Sequence, residues 1–175
     1  MSGRRLTPQP DAEATGGAGP AGPGADIELF ARTLWSEAAG ESLRGIEAVA
    51  AVVMNRAATL TEGAIDDACR SFACWSPDNP DLARIADLKA GAGSAAELLF
   101  TTCLRIARRA VAGLLEDLTG GATHYHDRST LPDWTTGREM AAEIGSRLFY
   151  KGLPDKGLPD DEGGKDKGGG PRVPS

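Results

Sequence analysis

The sequence predicts an α+β fold, mostly helical, with a small antiparallel β element. Three observations carry that expectation. Apolar residues recur at helical spacing over 27–38, 46–57 and 95–115, whereas short alternating runs occur only after the double glycine Gly120-Gly121. The 23 glycines and 11 prolines among 175 residues crowd toward the two ends. Residues 1–25 and 152–175 hold too little large apolar surface to offset the entropy of ordering them, so both read as disordered tails. Residues 26–151 are then one folding unit, large enough for a core without disulfide or metal staples.

The first helix starts after Asp26, an N-cap with Glu28 in the first turn, and buries Ile27, Phe30, Ala31, Leu34, Trp35 and Ala38 before Gly40 ends it. Residues 42–45 read as a connector. The second helix turns Ile46, Val49, Ala50, Val53 and Ala57 inward, with Ala51 and Val52 widening the stripe, which marks it as the central helix. Residues 59–93 have poor periodicity and a turn cluster, Ser76-Pro77-Asp78-Asn79-Pro80, and read as loop with one helical turn near 82–88. Such loops are where binding groups gather. The clearest helix spans 95–115, with Ser94 and Glu97 as a capping box and Leu99, Cys103, Ile106, Ala110 and Leu114 as its buried stripe. Beyond Gly121, residues 122–126 read as a strand, 139–143 as a short helix and 148–150 as a second strand pairing with the first.

The formal net charge is −6, most of it within the folding unit, and no Lys/Arg cluster relieves it. That balance argues against nucleic acid or an anionic membrane as partner. No apolar run approaches the roughly 18 residues of a membrane span. Arg4-Arg5 has no apolar stretch behind it, so no secretory signal is read. Cys69, Cys74 and Cys103 lack zinc-ligand spacing, which leaves a disulfide between two of them or three buried thiols.

Signatures of several enzyme classes are missing: there is no phosphate loop, no GxSxG elbow and no HExxH. The two histidines fall in His124-Tyr125-His126, on one face if this run is a strand. They either hydrogen-bond substrate or backbone, or form two thirds of a metal site. Glu37 lies near the end of an apolar helix, two residues past Trp35, and a carboxyl packed against indole and alkyl groups is suited to donate a proton. Glu41 shares its face if the helix continues through Gly40. Either glutamate also fits a solvated surface. Trp75 and Trp134 lie in loop-like sequence, as core plugs or as stacking platforms for a sugar ring.

Taken as a set, these blocks resemble the cell wall hydrolase family typified by the spore cortex-lytic (SleB-type) catalytic domain. The resemblance rests on Leu34-Trp35-Ser36-Glu37-Ala38-Ala39-Gly40-Glu41, on Gly45-Ile46-Glu47-Ala48-Val49-Ala50-Ala51 with Asn55-Arg56, and on Phe72-Ala73-Cys74-Trp75. It continues through Ala107-Arg108-Arg109-Ala110-Val111-Ala112-Gly113, Gly121-Ala122-Thr123-His124-Tyr125, Pro132-Asp133-Trp134, Ile144-Gly145 and Phe149-Tyr150. It implies a compact lysozyme-like domain over 26–151 that cuts peptidoglycan glycan strands at the N-acetylmuramic acid bond by lytic transglycosylation, without a cofactor or metal. Glu37 matches the family's catalytic glutamate, and Trp75, Thr123, His124, Tyr125 and Trp134 would line the sugar cleft. The chain departs from the family at Ser36 (usually Gly), Ala39 (usually Arg) and Leu118 (usually Pro). The partner implied is the glycan strand, with no nucleic acid, no membrane insertion and a monomeric enzyme. The place of action is the cell wall or periplasm, reached through a membrane lesion or an unconventional route. Two other readings stand beside it: an amidase cutting the stem peptide from N-acetylmuramic acid, which would need zinc, and a non-catalytic peptidoglycan-binding module.

Overall fold

The computed structural model describes residues 26–60 and 64–152. The two tails read from composition lie outside the described residues, apart from Gly152. Helix α1 (Ile27–Glu37) begins where predicted: Asp26 accepts hydrogen bonds from the backbone N–H of Glu28 and of Leu29, both 2.9 Å. It stops at Glu37, and Gly40 at φ 86° completes the turn away. Helix α2 (Leu43–Thr59) begins earlier than the periodicity implied, because Ser42 caps it by accepting from Gly45 N–H at 3.3 Å. Its buried residues run round most of its circumference from Gly45 to Ala57.

Two differences from the sequence reading fall in the middle of the chain. The segment taken as loop holds helix α3 (Ile65–Arg70) and a 3₁₀ turn, Ala73–Trp75, ahead of the expected short α4 (Leu82–Ala86). Six residues opening on Ala64, which makes no side-chain cap, give too little periodicity to see. Helix α5 (Ala95–Val111) has the expected capping box but ends four residues early, at Val111, with Gly113 at φ 70° turning the chain away. Leu114 is therefore 68% exposed instead of buried, and Phe100 and Leu104 complete the inward stripe.

The sheet has three strands, β1 (His124–Asp127), β2 (Met140–Ile144) and β3 (Arg147–Tyr150), in the order β1-β3-β2, all antiparallel. β1 and β3 are the predicted pair, with Tyr125 opposite Phe149. β2 corrects the helix expected at 139–143. Glu, Met and Ala favour helix locally, but Gly145 at φ 62° and Ser146 make a two-residue hairpin turn that returns the chain along β3. As an edge strand, β2 tolerates a register shift between Met140 and Ala142.

Phe30 and Leu34 of α1, Val49, Val52 and Val53 of α2, Phe100 and Cys103 of α5 and Phe149 of β3 form one core. Burying each of the larger side chains contributes roughly 1.5–3 kcal/mol. Because Phe149 belongs to that core, the β1–β3 face carrying Tyr125 and Phe149 is pressed toward the helices. The same packing brings Tyr125 to the end of α1. No described helix is long and apolar enough to cross a membrane.

Candidate active site

Glu37 is the last residue of α1, and its carboxylate meets β1 there: the Tyr125 hydroxyl donates to Oε2 at 2.7 Å. Tyr125 is packed between Phe72 at 6.3 Å and Phe149 at 5.7 Å between ring centroids. Burial, and then the nearby Glu37 charge, push its phenol well above the usual range, so it remains a neutral donor.

Three groups that the sequence reading did not assign surround this pair. Arg56 of α2 donates through Nε to Thr123 C=O at 2.7 Å and through Nη1 to Ser71 Oγ at 3.0 Å, with its guanidinium 4.1 Å over Phe72. Burial lowers its pKa, and the Glu37 carboxylate acts in the other direction. Arg147, at the start of β3, donates to the main-chain carbonyl of Glu37, one of the acceptors a helix end leaves open, and covers the Tyr125 ring at 4.5 Å. The Cys74 thiol lies close to Ser36 and Glu37; burial comes first, then the Glu37 charge, in pushing its pKa strongly up. Arg56 and Cys74 stood inside the blocks that carried the resemblance, so a signal existed for them. Arg147 stood in none.

Asn55 beside Arg56 explains the approach to β1. Its Nδ2 donates to Ala122 C=O at 2.9 Å and to Asp117 Oδ2 at 3.2 Å. Asp117 in turn accepts from Thr119 N–H, Thr119 Oγ1 and Gly121 N–H at 2.6–2.8 Å. Burial acts upward on its pKa, yet these hydrogen bonds hold it below the usual value. The loop is thereby fixed, and Thr123 enters β1 in one register through its N–H on Tyr150 C=O at 3.0 Å.

The remaining predicted site residues divide. Trp75 sits beside α1, its indole N–H on Thr33 Oγ1 at 2.9 Å, and packs against the core. His124 and His126 point to the other side of β1 from Tyr125, as strand alternation requires. Trp134 lies with them, 6.0 Å from His124, 5.6 Å from His126 and 5.3 Å from Tyr150. His126 Nδ1 donates to Asp127 C=O at 2.8 Å, which leaves Nε2 to accept from Tyr150 OH at 3.3 Å. His124 Nδ1 pairs with Thr123 Oγ1 at 2.8 Å; burial first, then Arg56 and Arg138, lower its pKa to about 4, so it is neutral at pH 7. Among the described residues, no group of three or more His, Cys, Asp or Glu side chains is placed to hold a metal ion.

Glu41 does not share a helical face with Glu37, because α1 ends first. Trp35 lies about 200° round the helix from Glu37, and its ring faces the Arg84 guanidinium at 5.0 Å. The groups gathered at Glu37 are therefore a phenol on its carboxylate, a nearby thiol and a guanidinium on its main-chain carbonyl. Two surface clefts, about 290 Å³ beside Arg32 and Phe100 and about 540 Å³ beside Arg138 and Lys151, have neither Glu37 nor Tyr125 in their walls. The three cysteines are free and buried.

A helical domain closed by a small antiparallel sheet is also the fold of known cell wall enzymes. Residues 40–150 match the family described as Cell Wall Hydrolase, and the chain belongs to that family. The match opens three residues after Glu37. A spore cortex-lytic enzyme of Halalkalibacterium halodurans is 34% identical over 127 residues, which cover 71% of this chain and 34% of that protein. The chain thus spans about a third of that relative's length. The catalytic domain of the Bacillus cereus SleB protein has the same fold, with a TM-score of 0.52 at 25% identity over 72% of this chain and 89% of that one. So does the catalytic domain of the germination-specific lytic transglycosylase SleB from Bacillus anthracis, with a TM-score of 0.51 at 24% identity over 72% and 93%.

Proposed function

We propose that the chain cleaves peptidoglycan glycan strands at the N-acetylmuramic acid bond as a lytic transglycosylase, with Glu37 as its single catalytic carboxyl. The observation that carries this reading is the 2.7 Å hydrogen bond from Tyr125 to Glu37 Oε2. It fixes one carboxyl oxygen and leaves the other to face a substrate. In the first half of the reaction, protonated Glu37 gives its proton to the glycosidic oxygen as the C1–O bond breaks and positive charge develops on the sugar. In the second half, the C6 hydroxyl of the same sugar closes on C1 and its proton returns to the Glu37 carboxylate. The enzyme is restored, the product carries a 1,6-anhydro ring and no water is consumed. A second carboxylate is not needed on this route, and Glu41, the nearest in sequence, is engaged by Ser146 and Arg147. The tyrosine hydroxyl stabilises the carboxylate formed midway without itself ionising, since its pKa is held high.

Under this reading Trp75, Thr123 and Tyr125 contact the strand near Glu37. His124 and Trp134 reach it only where it passes the edge of the sheet at β1. Zinc amidase chemistry would need both histidines as ligands, and His126 already uses both ring nitrogens. The same proposal places the enzyme at the cell wall as its site of action. Mass spectrometry of a digest of purified peptidoglycan tests it. Muropeptides ending in anhydro-muramic acid are expected. Reducing ends would assign a muramidase instead, and free stem peptides would overturn glycan cleavage.

A further inference from the structure

Glu41 lies between α1 and α2, yet its side chain is only 9% exposed. Two glycines from separate elements make the room. A Cβ on Gly45, in the first turn of α2, would come within 2.8 Å of Glu41 Cβ and Oε2, and one on Gly145 in the β2–β3 turn would collide with Oε2. A buried carboxylate is costly unless it is paired and hydrogen-bonded. Both partners of Glu41 come from the hairpin: the Ser146 hydroxyl donates to Oε1, and Arg147 Nε lies 3.5 Å from the same atom. That Nε is fully buried and has no well-aligned hydrogen-bond acceptor, so Glu41 is the charge it faces. The same guanidinium donates to the Glu37 carbonyl and covers the Tyr125 ring. One cation therefore touches both the backbone of Glu37 and the residue that holds its carboxyl.

We propose that Glu41 and Arg147 form a positioning pair, in which Glu41 orients the Arg147 guanidinium and the guanidinium sets Glu37 and Tyr125 in their hydrogen-bonded geometry. The catalytic part of this inference rests on Glu37 being the proton donor. Neither residue of the pair touches the reacting bond. Arg147 acts through Glu37 and Tyr125, and Glu41 acts through Arg147. The pair also accounts for Gly45 and Gly145, since any side chain at either position would displace Glu41.

The rival is a purely structural anchor for the hairpin, and a control separates the two. Arg128 fastens the same hairpin from β1, donating to Glu143 and to Gly145 C=O at 3.3 Å, without reaching Glu37. The full chain would be compared as wild type, Glu41→Gln, Arg147→Lys, the double variant, Arg128→Gln and Glu37→Gln. Turnover would be read on soluble peptidoglycan fragments, and the Tyr125 hydroxyl proton by NMR. For Glu41→Gln and Arg147→Lys, kcat falls at least about tenfold with KM within about twofold. The double variant is no worse than the poorer single one, as expected of residues on one path. The Tyr125 hydroxyl signal shifts or is lost in both variants and stays in Arg128→Gln. A signal unmoved in both, or equal kcat losses in Arg128→Gln, would overturn the pair. Activity retained by Glu37→Gln would overturn the proposed function instead, and the Tyr125 signal would still decide whether the pair sets the geometry.

Discussion

The two faces of β1 divide three consecutive residues between different tasks. Tyr125 faces the helices and gives its hydroxyl to Glu37, whereas His124 and His126 face outward into a cluster with Trp134 and Tyr150. The inner face holds a phenol on the Glu37 carboxylate, with a thiol and the guanidinium groups of Arg56 and Arg147 around them. On the outer face the hydrogen bonds of both imidazoles stay within the strand and its neighbour. Two histidines flanking one tyrosine draw the eye first. The contact with Glu37 belongs to the tyrosine between them, and the imidazoles bond within the strand and its neighbour.

Substitutions on the two faces should therefore fail in different ways. Tyr125→Phe keeps the packing against Phe72 and Phe149 but removes a hydrogen bond to a charged group, worth about 1.5–3 kcal/mol. Its kcat, read where the variant is fully folded, should fall about 10- to 100-fold, and the missing bond lowers the melting temperature by several degrees. His126→Phe should cost roughly 1–3 kcal/mol of stability by leaving the buried Tyr150 OH without its acceptor, since Asp127 C=O keeps the Thr130 N–H and hydroxyl, while kcat stays within about twofold. Parallel kinetics and urea melts check both, and equal kcat losses would erase the distinction between the faces. Trp134→Ala belongs with His126. It should lose roughly 2–3 kcal/mol, below the 3–5 of a fully buried tryptophan because the ring is half-buried.

Acid sharpens the comparison further. The His124 pKa is lowered to about 4 in the folded protein, by burial and then by Arg56 and Arg138. Between the ordinary histidine value of about 6.5 and about 4, the unfolded chain binds more protons than the folded one, so stability drops as pH falls through that window. Asp117, held low by its hydrogen bonds, adds a loss in the same direction at lower pH. Melting temperature measured from pH 7 to 4 should decline, and His124→Gln should flatten the upper part of the decline. A slope unchanged by the substitution would mean that His124 titrates normally.

The smallest effect concerns the thiols. Burial raises Cys69 and Cys103 to about 12 and Cys74 further still. A thiol reagent at pH 8 should find none of the three reactive in the native protein and all three after denaturation.

Much of the helical layer was legible because Asp26, Ser94 and Glu97 announce helix starts and apolar periodicity marks the buried faces. The misses share a physical cause: local preference was overruled by chain reversal. Met140 to Glu143 favour helix by composition, yet Gly145 and Ser146 return the chain beside β3 and make the segment an edge strand. Leu114 continues the α5 stripe in sequence, but Gly113 adopts a left-handed conformation and turns it out to solvent. At the site, Glu37 and Tyr125 were named from the resemblance, and the hydrogen bond between residues 88 positions apart emerged only on folding. Arg147 carried no local signal, since its role depends on where a strand meets the end of a helix.

Glu37 as the proton donor is tested most directly by one digest. Purified peptidoglycan would be treated with the wild type and with Glu37→Gln, the variant first shown to have an unchanged melting temperature. Anhydro-muramic products from the wild type, reduced at least about 10³-fold with the variant, are the expected result. Equal product from the two proteins would contradict the account.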